Sequence, residues 1–217
     1  MKDNLKARED DRKTITVILR LSVSASLAAL GIVLSTVVVL FPNIEFISVT
    51  IFLISLLFGA YYGVLAAVSI ALIYEFIVTT IYATAGLIIP FKLICYISLA
   101  LLAGFGRKVF VKLSFWEFGI LGGFFALIYD IVTTIGGIVF VLQDAITIPS
   151  LISYLILGIP FTLLHFFGNF ILFSLVTPII NWIKTAFRYR GVKLLMISPI
   201  LGEFKDETNS PKVGDLT

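Results

Sequence analysis

The residues best placed to do chemistry lie inside apolar sequence. Asp130 is the lone carboxylate in the stretch from Phe124 to Gly137, FFALIYDIVTTIGG. A charged side chain within a membrane segment costs roughly 2.5–3.5 kcal/mol on insertion scales, so it marks a site or a pathway. Tyr129 precedes it, and Thr133 and Thr134 follow at i+3 and i+4 on the same helical face. Glu75, Lys92 and His165 also interrupt apolar runs, each with polar company at helical spacing: Thr79 after Glu75, Tyr96 after Lys92, Asn169 after His165. The chemistry this suits is a polar cavity with paired charges, in which Tyr74, Tyr96 and Tyr129 offer rings for stacking. A plainer role for Asp130 is a hydrogen bond to a neighbouring helix, since polar residues also hold membrane helices together.

Enzymatic readings find little support. Tyr129-Asp130 looks like the first half of an intramembrane aspartyl protease site, but the second aspartate in a Gly-x-Gly-Asp context is missing, and two carboxylates must share the acid and base roles. There is no His-Glu-x-x-His pair for zinc, and the chain holds a single histidine. Neither a Gly-x-Ser-x-Gly elbow nor a P-loop occurs. The chain is therefore expected not to be an enzyme, and no cofactor or metal is expected.

These residues need membrane helices to position them. Hydrophobic residues make up 59% of the 217 and charged residues 13%, with a mean hydropathy of +1.10, more apolar surface than a soluble domain of this size can bury. Apolar stretches near the ~20 residues that cross a bilayer recur, and the ~10-residue alternation of a barrel is absent. Cys95 is alone and reads as a small packing residue. The net charge of +3 does not point to nucleic acid, because the basic residues flank the apolar runs.

Residues 1–14 read as a charged, mobile cytoplasmic leader, too charged for a signal peptide. Helix 1 is expected over Ile15 to Phe41, with a small-residue segment, SVSASLAALG, in which Ala25 and Ala29 stand one turn apart. Small residues at that spacing let helices approach closely in lipid, within this bundle or against a partner. Pro42-Asn43-Ile44-Glu45 ends it. Helix 2 is short, Phe46 to Phe58. A tight turn, GAYYG, joins it to helix 3, Tyr61 to Tyr82. Helix 4 covers Leu87 to Gly106, followed by a basic loop with Arg107, Lys108 and Lys112. Helix 5 covers Phe115 to Leu142, with Gly119 and Gly123 at small-residue spacing. Helix 6 runs from Leu151 to Phe187, with interruptions expected at Gly158-Ile159-Pro160 and at Pro178. The six-helix domain is set at 15–190 and a cytoplasmic tail at 191–217, disordered after 202.

The fold class is thus an all-α membrane protein with six transmembrane helices and both termini on one side. Of the 16 basic residues, 15 fall on that side: six in or beside the leader, three between helices 4 and 5, and six from Lys184 onward. The positive-inside rule makes that side cytoplasmic. Lys92 is the exception and lies in the outer half of helix 4. Glu75 is 14 residues along outward-running helix 3, roughly 20 Å at 1.5 Å per residue. Asp130 and His165 fall at comparable depth. A pocket opening outward follows, with Lys92 paired to Glu75 or Asp130, and with Asn43, Glu45 and Gln143 on loops above it.

With these motifs in view, the chain resembles the substrate-binding membrane subunit, or S component, of energy-coupling factor (ECF) transporters over most of residues 15–187. The resemblance rests on Ala25-x-x-x-Ala29, which looks like the alanine motif by which such subunits dock, and on Pro42-Asn43-x-Glu45, Phe58-Gly-x-x-x-Gly63 and Tyr129-Asp130-x-x-Thr133-Thr134 in this order. It implies capture of a vitamin or related micronutrient at the plasma membrane of a prokaryote. It also implies a membrane-embedded coupling subunit, two cytoplasmic ATPases, and a toppling motion that carries the pocket inward. The candidate substrate-binding residues come from polarity and depth, not from the family: Asp130, Glu75, Lys92, His165, Tyr129, Thr134, Asn169, Tyr96, Tyr74 and Asn43. A stand-alone proton-coupled transporter and a non-transporting interaction protein of the membrane are the other readings. The lack of a convincing inverted repeat weighs mildly against the former.

Overall fold

The computed structural model describes residues 2–39, 44, 46–82, 88–142 and 147–189. Asn43, Glu45, Gln143 and the tail at 191–217, to which the sequence assigned roles, lie outside the described residues.

Every element among the described residues is helical: α1 (Lys2–Val37), α2 (Ile47–Phe58), α3 (Ala60–Tyr82), α4 (Ile89–Phe105), α5 (Arg107–Phe110), α6 (Phe115–Leu142), α7 (Ile148–Ser174) and α8 (Val176–Tyr189). Four stretches within them are long and apolar enough to cross a membrane: Thr14–Val37, Ala60–Ile81, Phe115–Ile138 and Ile148–Ile183. The chain is an all-helical membrane protein. The exposed faces of these helices carry large apolar side chains such as Phe76, Phe124, Leu157 and Phe167, as a lipid-facing surface requires.

α2 is the centre of the packing. All its residues but Thr50 are buried, which fits a helix that is apolar all round. It lies against α1, α3 and α4, while α6 runs along α7. Phe52 of α2 collects an aromatic cluster, with ring centroids 5.4 Å from Phe110, 5.8 Å from Phe118 and 5.3 Å from Phe173. At 12 residues, or about 18 Å, α2 is shorter than the ~30 Å hydrocarbon core, so its C-terminal carbonyls need partners inside the protein. Arg107 supplies them: Nε donates to Leu56 O and Nη2 to Leu57 O, both at 2.9 Å. A cation there also suits the negative end of the helix dipole. Burial first, and the charge of Arg20 second, hold the Arg107 guanidinium below its usual range.

Glycines set the close approaches. A Cβ on Gly104 would strike the backbone of Ala60, so α4 meets the start of α3 without a side chain between them. On α6, a Cβ on Gly123 would lie 2.7 Å from the ring of Phe166, and one on Gly119 would meet Ser174 and Phe170. The small-residue spacing on this helix thus serves contact with α7.

Five local expectations are corrected. Helix 1 begins at Lys2, within the charged leader, rather than at Ile15. The leader's Lys, Arg, Glu, Leu and Ala residues are good helix formers, and extending an existing helix avoids the cost of nucleation. The GAYYG turn shrinks to Gly59 alone, at φ 104°, with Gly63 already inside α3. The basic segment after α4 contains the short helix α5 rather than only a loop. α7 continues through Pro160, because one freed carbonyl is tolerated in a membrane helix. The interruption at Pro178 is present. Ser174, the residue whose carbonyl its ring would strike, is the last of α7, and Leu175 forms the break. α7 starts three residues earlier than expected. A reciprocal cap explains this: Ser150 N donates to Thr147 Oγ1 at 3.2 Å, and Thr147 N to Ser150 Oγ at 2.9 Å.

Candidate functional site: a polar cavity between α3, α4, α6 and α7

Side chains from four helices converge on one cavity of about 280 Å³. Tyr74 and Val78 come from α3, Lys92 from α4, Tyr129, Asp130 and Thr133 from α6, and His165 from α7, while Val39, Ile44 and Ile88 close it from the connections. Each polar residue reaches it because its helix presents the apolar residues around it to lipid or to the core: Ile128 and Ile131 flank Tyr129 and Asp130, and both are exposed.

Two polar side-chain pairs hold the cavity together. Lys92 Nζ is paired with Glu75 Oε1, which resolves the choice between Glu75 and Asp130. Glu75 is 5% exposed and stands behind Lys92 rather than on the cavity wall. Asp130 is taken instead by His165, with Nδ1 2.7 Å from Oδ1. Around this pair the aromatic residues are ordered. The Tyr129 hydroxyl lies 3.1 Å from that of Tyr96, with ring centroids 5.4 Å apart at 31°. His165 meets Tyr129 edge-on, at 5.4 Å and 84°.

Of the ten candidates, Asp130, Lys92, His165, Tyr129 and Tyr74 line the cavity. Glu75 and Tyr96 support liners from behind. Asn169 is fully buried one turn beyond His165, where its Nδ2 donates to His165 O at 3.3 Å. Thr134 is half-buried and does not line the cavity; Thr133 does, its hydroxyl donating to Tyr129 O at 2.8 Å. The two threonines are 100° apart around the helix, so only one faces inward. Val78, missed from sequence, stands one turn after Tyr74, and that spacing was its only signal.

Among the described residues no cluster of three His, Cys, Asp or Glu side chains is placed to hold a metal. What the arrangement offers is binding: one carboxylate–imidazole pair among the lining residues, one cation backed by a buried carboxylate, and two tyrosines on the wall.

A second, almost wholly apolar cavity of about 320 Å³ lies between α1 and α3. Ala25, Ala28 and Ala29 form one side, and Tyr62, Leu65 and Ala66 the other. Ala25 and Ala29 are exposed, so no described helix covers them.

Comparison with family models, with curated proteins and with solved structures finds no match. The class that fold and site define is therefore a helical membrane protein with a polar cavity enclosed by its helices.

Proposed function

We propose that the chain is the substrate-capturing membrane subunit of an ECF-type importer for a vitamin or related micronutrient. In this reading α2 and α4 complete six membrane passages, both termini are cytoplasmic, and the membrane is the plasma membrane of a prokaryote. The observation that carries it is the convergence of Lys92, Asp130, His165, Tyr74 and Tyr129 on one cavity small enough for a nutrient-sized molecule. Ligand pockets run from roughly 300 to 1,000 Å³, and this one, at about 280 Å³, falls just below that range. The distribution of basic residues supports an opening toward the outside. The exposed Ala25 and Ala29 support docking on a membrane-embedded coupling subunit, whose two ATPase partners would supply the energy.

Mass spectrometry of small molecules released from the detergent-extracted protein tests the reading. A stoichiometric nutrient-like compound, together with co-purifying ATPases, is the expected result. Protein that binds nothing and has no ATPase partner in its native membrane counts against it.

A second reading, a stand-alone proton-coupled transporter, is favoured by one feature, the buried Asp130–His165 pair, which has the composition of a proton relay. Uptake that persists without ATPases and collapses with the proton gradient would decide for it.

A further inference from the structure

The stretch from Ile148 to Ile183 is longer than one membrane crossing needs. α7 alone, with 27 residues, spans about 40 Å at 1.5 Å per residue, against a hydrocarbon core of about 30 Å. α8 is therefore not needed for the crossing, and the break at Leu175 sets it off from α7.

The residues of α8 divide into three stripes. Val176 and Ile180 are buried, and Ile183 packs against the same core. Asn181 and Thr185 are exposed, and helical spacing sets Lys184 and Arg188 on their stripe, at i+3 and i+7 from Asn181. Trp182 is 72% exposed and belongs to neither stripe. At 3.6 residues per turn the three directions are about 120° apart. One meets the protein, one suits water, and one presents a large aromatic ring. A helix with cations on its polar face and a tryptophan beside them suits the interface plane of a bilayer.

The same end of the bundle carries more of this chemistry. Phe110 of α5, Phe118 near the start of α6 and Phe173 near the end of α7 all meet the ring of Phe52, so α5 and the start of α6 lie beside the start of α8. There Trp116 is 66% exposed, and Phe105 and Val109 are exposed as well. Lys108 and Lys112 are exposed among them. Both tryptophans of the chain thus stand out at one end, as in the aromatic belt at a membrane surface. Glu117 is at this edge too, but its Oε2 accepts from Ser114 N and Oγ, both at 2.7 Å, so it caps α6.

We infer that this end of the bundle is a docking surface for anionic phospholipid headgroups, with Lys108, Lys112, Lys184 and Arg188 serving the phosphate and Trp116 and Trp182 at headgroup level. Charge complementarity decides the occupant, since four cations beside exposed rings favour a negative lipid over a zwitterionic one. The surface is built from other residues than the polar cavity, and the inference does not rest on the importer reading.

The full chain is reconstituted into vesicles of equal parts phosphatidylglycerol and phosphatidylcholine, extracted mildly, and weighed with its retained lipids by native mass spectrometry. Phosphatidylglycerol is expected to be retained at least about fivefold over phosphatidylcholine, the preference that a single surface cation supplies. Lys108→Gln, Lys112→Gln, Lys184→Gln and Arg188→Gln together should bring the ratio near one, with folding checked by thermal unfolding. Excess inorganic phosphate should leave the wild-type ratio unchanged, which separates a lipid site from a free-phosphate site. In Trp116→Phe, the fluorescence of Trp182 should be quenched more by a lipid spin-labelled near the headgroup than by one labelled at the chain end. Equal retention of the two lipids by the wild type, a preference that survives the four changes, displacement by phosphate, or quenching that is absent or strongest with the deep label, overturns the inference. Where the quadruple variant does not fold, the wild-type ratio and the quenching decide.

Discussion

His165 on α7 places Nδ1 2.7 Å from Oδ1 of Asp130 on α6, joining across the cavity wall the two helices that pack most extensively on one another. Both side chains are nearly buried, at 3% and 14% exposure. The pair therefore has two consequences at once: it fixes the register of α6 against α7, and it sets a carboxylate and an imidazole among the residues that line the cavity.

Removing one partner exposes the first consequence. His165→Ala strands a buried carboxylate, and breaking a buried pair this way costs about 3–5 kcal/mol in soluble proteins. Interhelical hydrogen bonds in membranes measure less, about 0.6 kcal/mol on average and about 1.7 at most, because the unfolded chain also finds partners there. We expect a lower unfolding temperature in detergent for His165→Ala, and a double variant with Asp130→Ala that is less destabilised than the two single changes added together. Additive losses would mean that the pair does not couple the helices.

The Lys92–Glu75 pair should behave differently in function. Lys92 reaches the cavity and Glu75 does not, although each neutralises the other. Lys92→Met should lower both stability and ligand affinity. Adding Glu75→Gln should recover much of the stability, by removing the stranded charge, and little of the affinity. Thermal unfolding and binding measured on the same samples separate these outcomes.

The sequence carried the helices well, because about 20 apolar residues bounded by Pro, Gly and charge have few other solutions in a membrane. Helix 5 was bounded at Phe115 and Leu142, where α6 begins and ends. Depth was legible too: a fixed rise per residue put Glu75 and Lys92 at one level, and they meet. Azimuth was not. Nothing in the sequence says which way a helix is rotated within the bundle, so the partnership of Asp130 with His165 and the choice of Thr133 over Thr134 awaited the packing. Capping was equally hidden, since Arg107 reads as one of several loop cations until its guanidinium is found on the last carbonyls of α2.

Arg107 is accordingly predicted to matter for stability rather than for binding. Its two hydrogen bonds satisfy carbonyls that a short buried helix cannot satisfy itself. Arg107→Ala should cost about 1.5–3 kcal/mol, the range for hydrogen bonds made by a charged group. Arg107→Lys should rescue it only in part, because an ammonium lacks the planar fork that serves two carbonyls together. Unfolding temperatures of the three proteins check this, with ligand affinity expected to remain unchanged.

Gly104→Ala tests the close backbone approach of α4 to α3. The added methyl would meet the backbone of Ala60, which, unlike the end of a flexible side chain, cannot swing away. α3 and α4 must then separate, at a cost of about 1–3 kcal/mol or more. Because Lys92 and Glu75 sit on these same two helices, weaker ligand binding should accompany the lost stability. Gly158→Ala, where an added Cβ meets nothing within 4 Å, is the matched control and should be neutral or slightly stabilising.

Ala25 and Ala29 present the remaining test, one that needs the proposed partner. They are exposed on α1 beside an apolar cavity that no described helix fills. Leucine at both positions keeps the surface apolar, so insertion and folding should be unaffected, and the polar cavity of α3, α4, α6 and α7 is built from other residues. Close helix approach in lipid depends on small side chains, and two leucines one turn apart would hold a partner helix off. The double variant should therefore bind ligand with wild-type affinity but fail to co-purify with a coupling subunit and its ATPases. Normal assembly by the variant would move the docking surface elsewhere, and loss of ligand binding would show that α1 shapes the cavity as well.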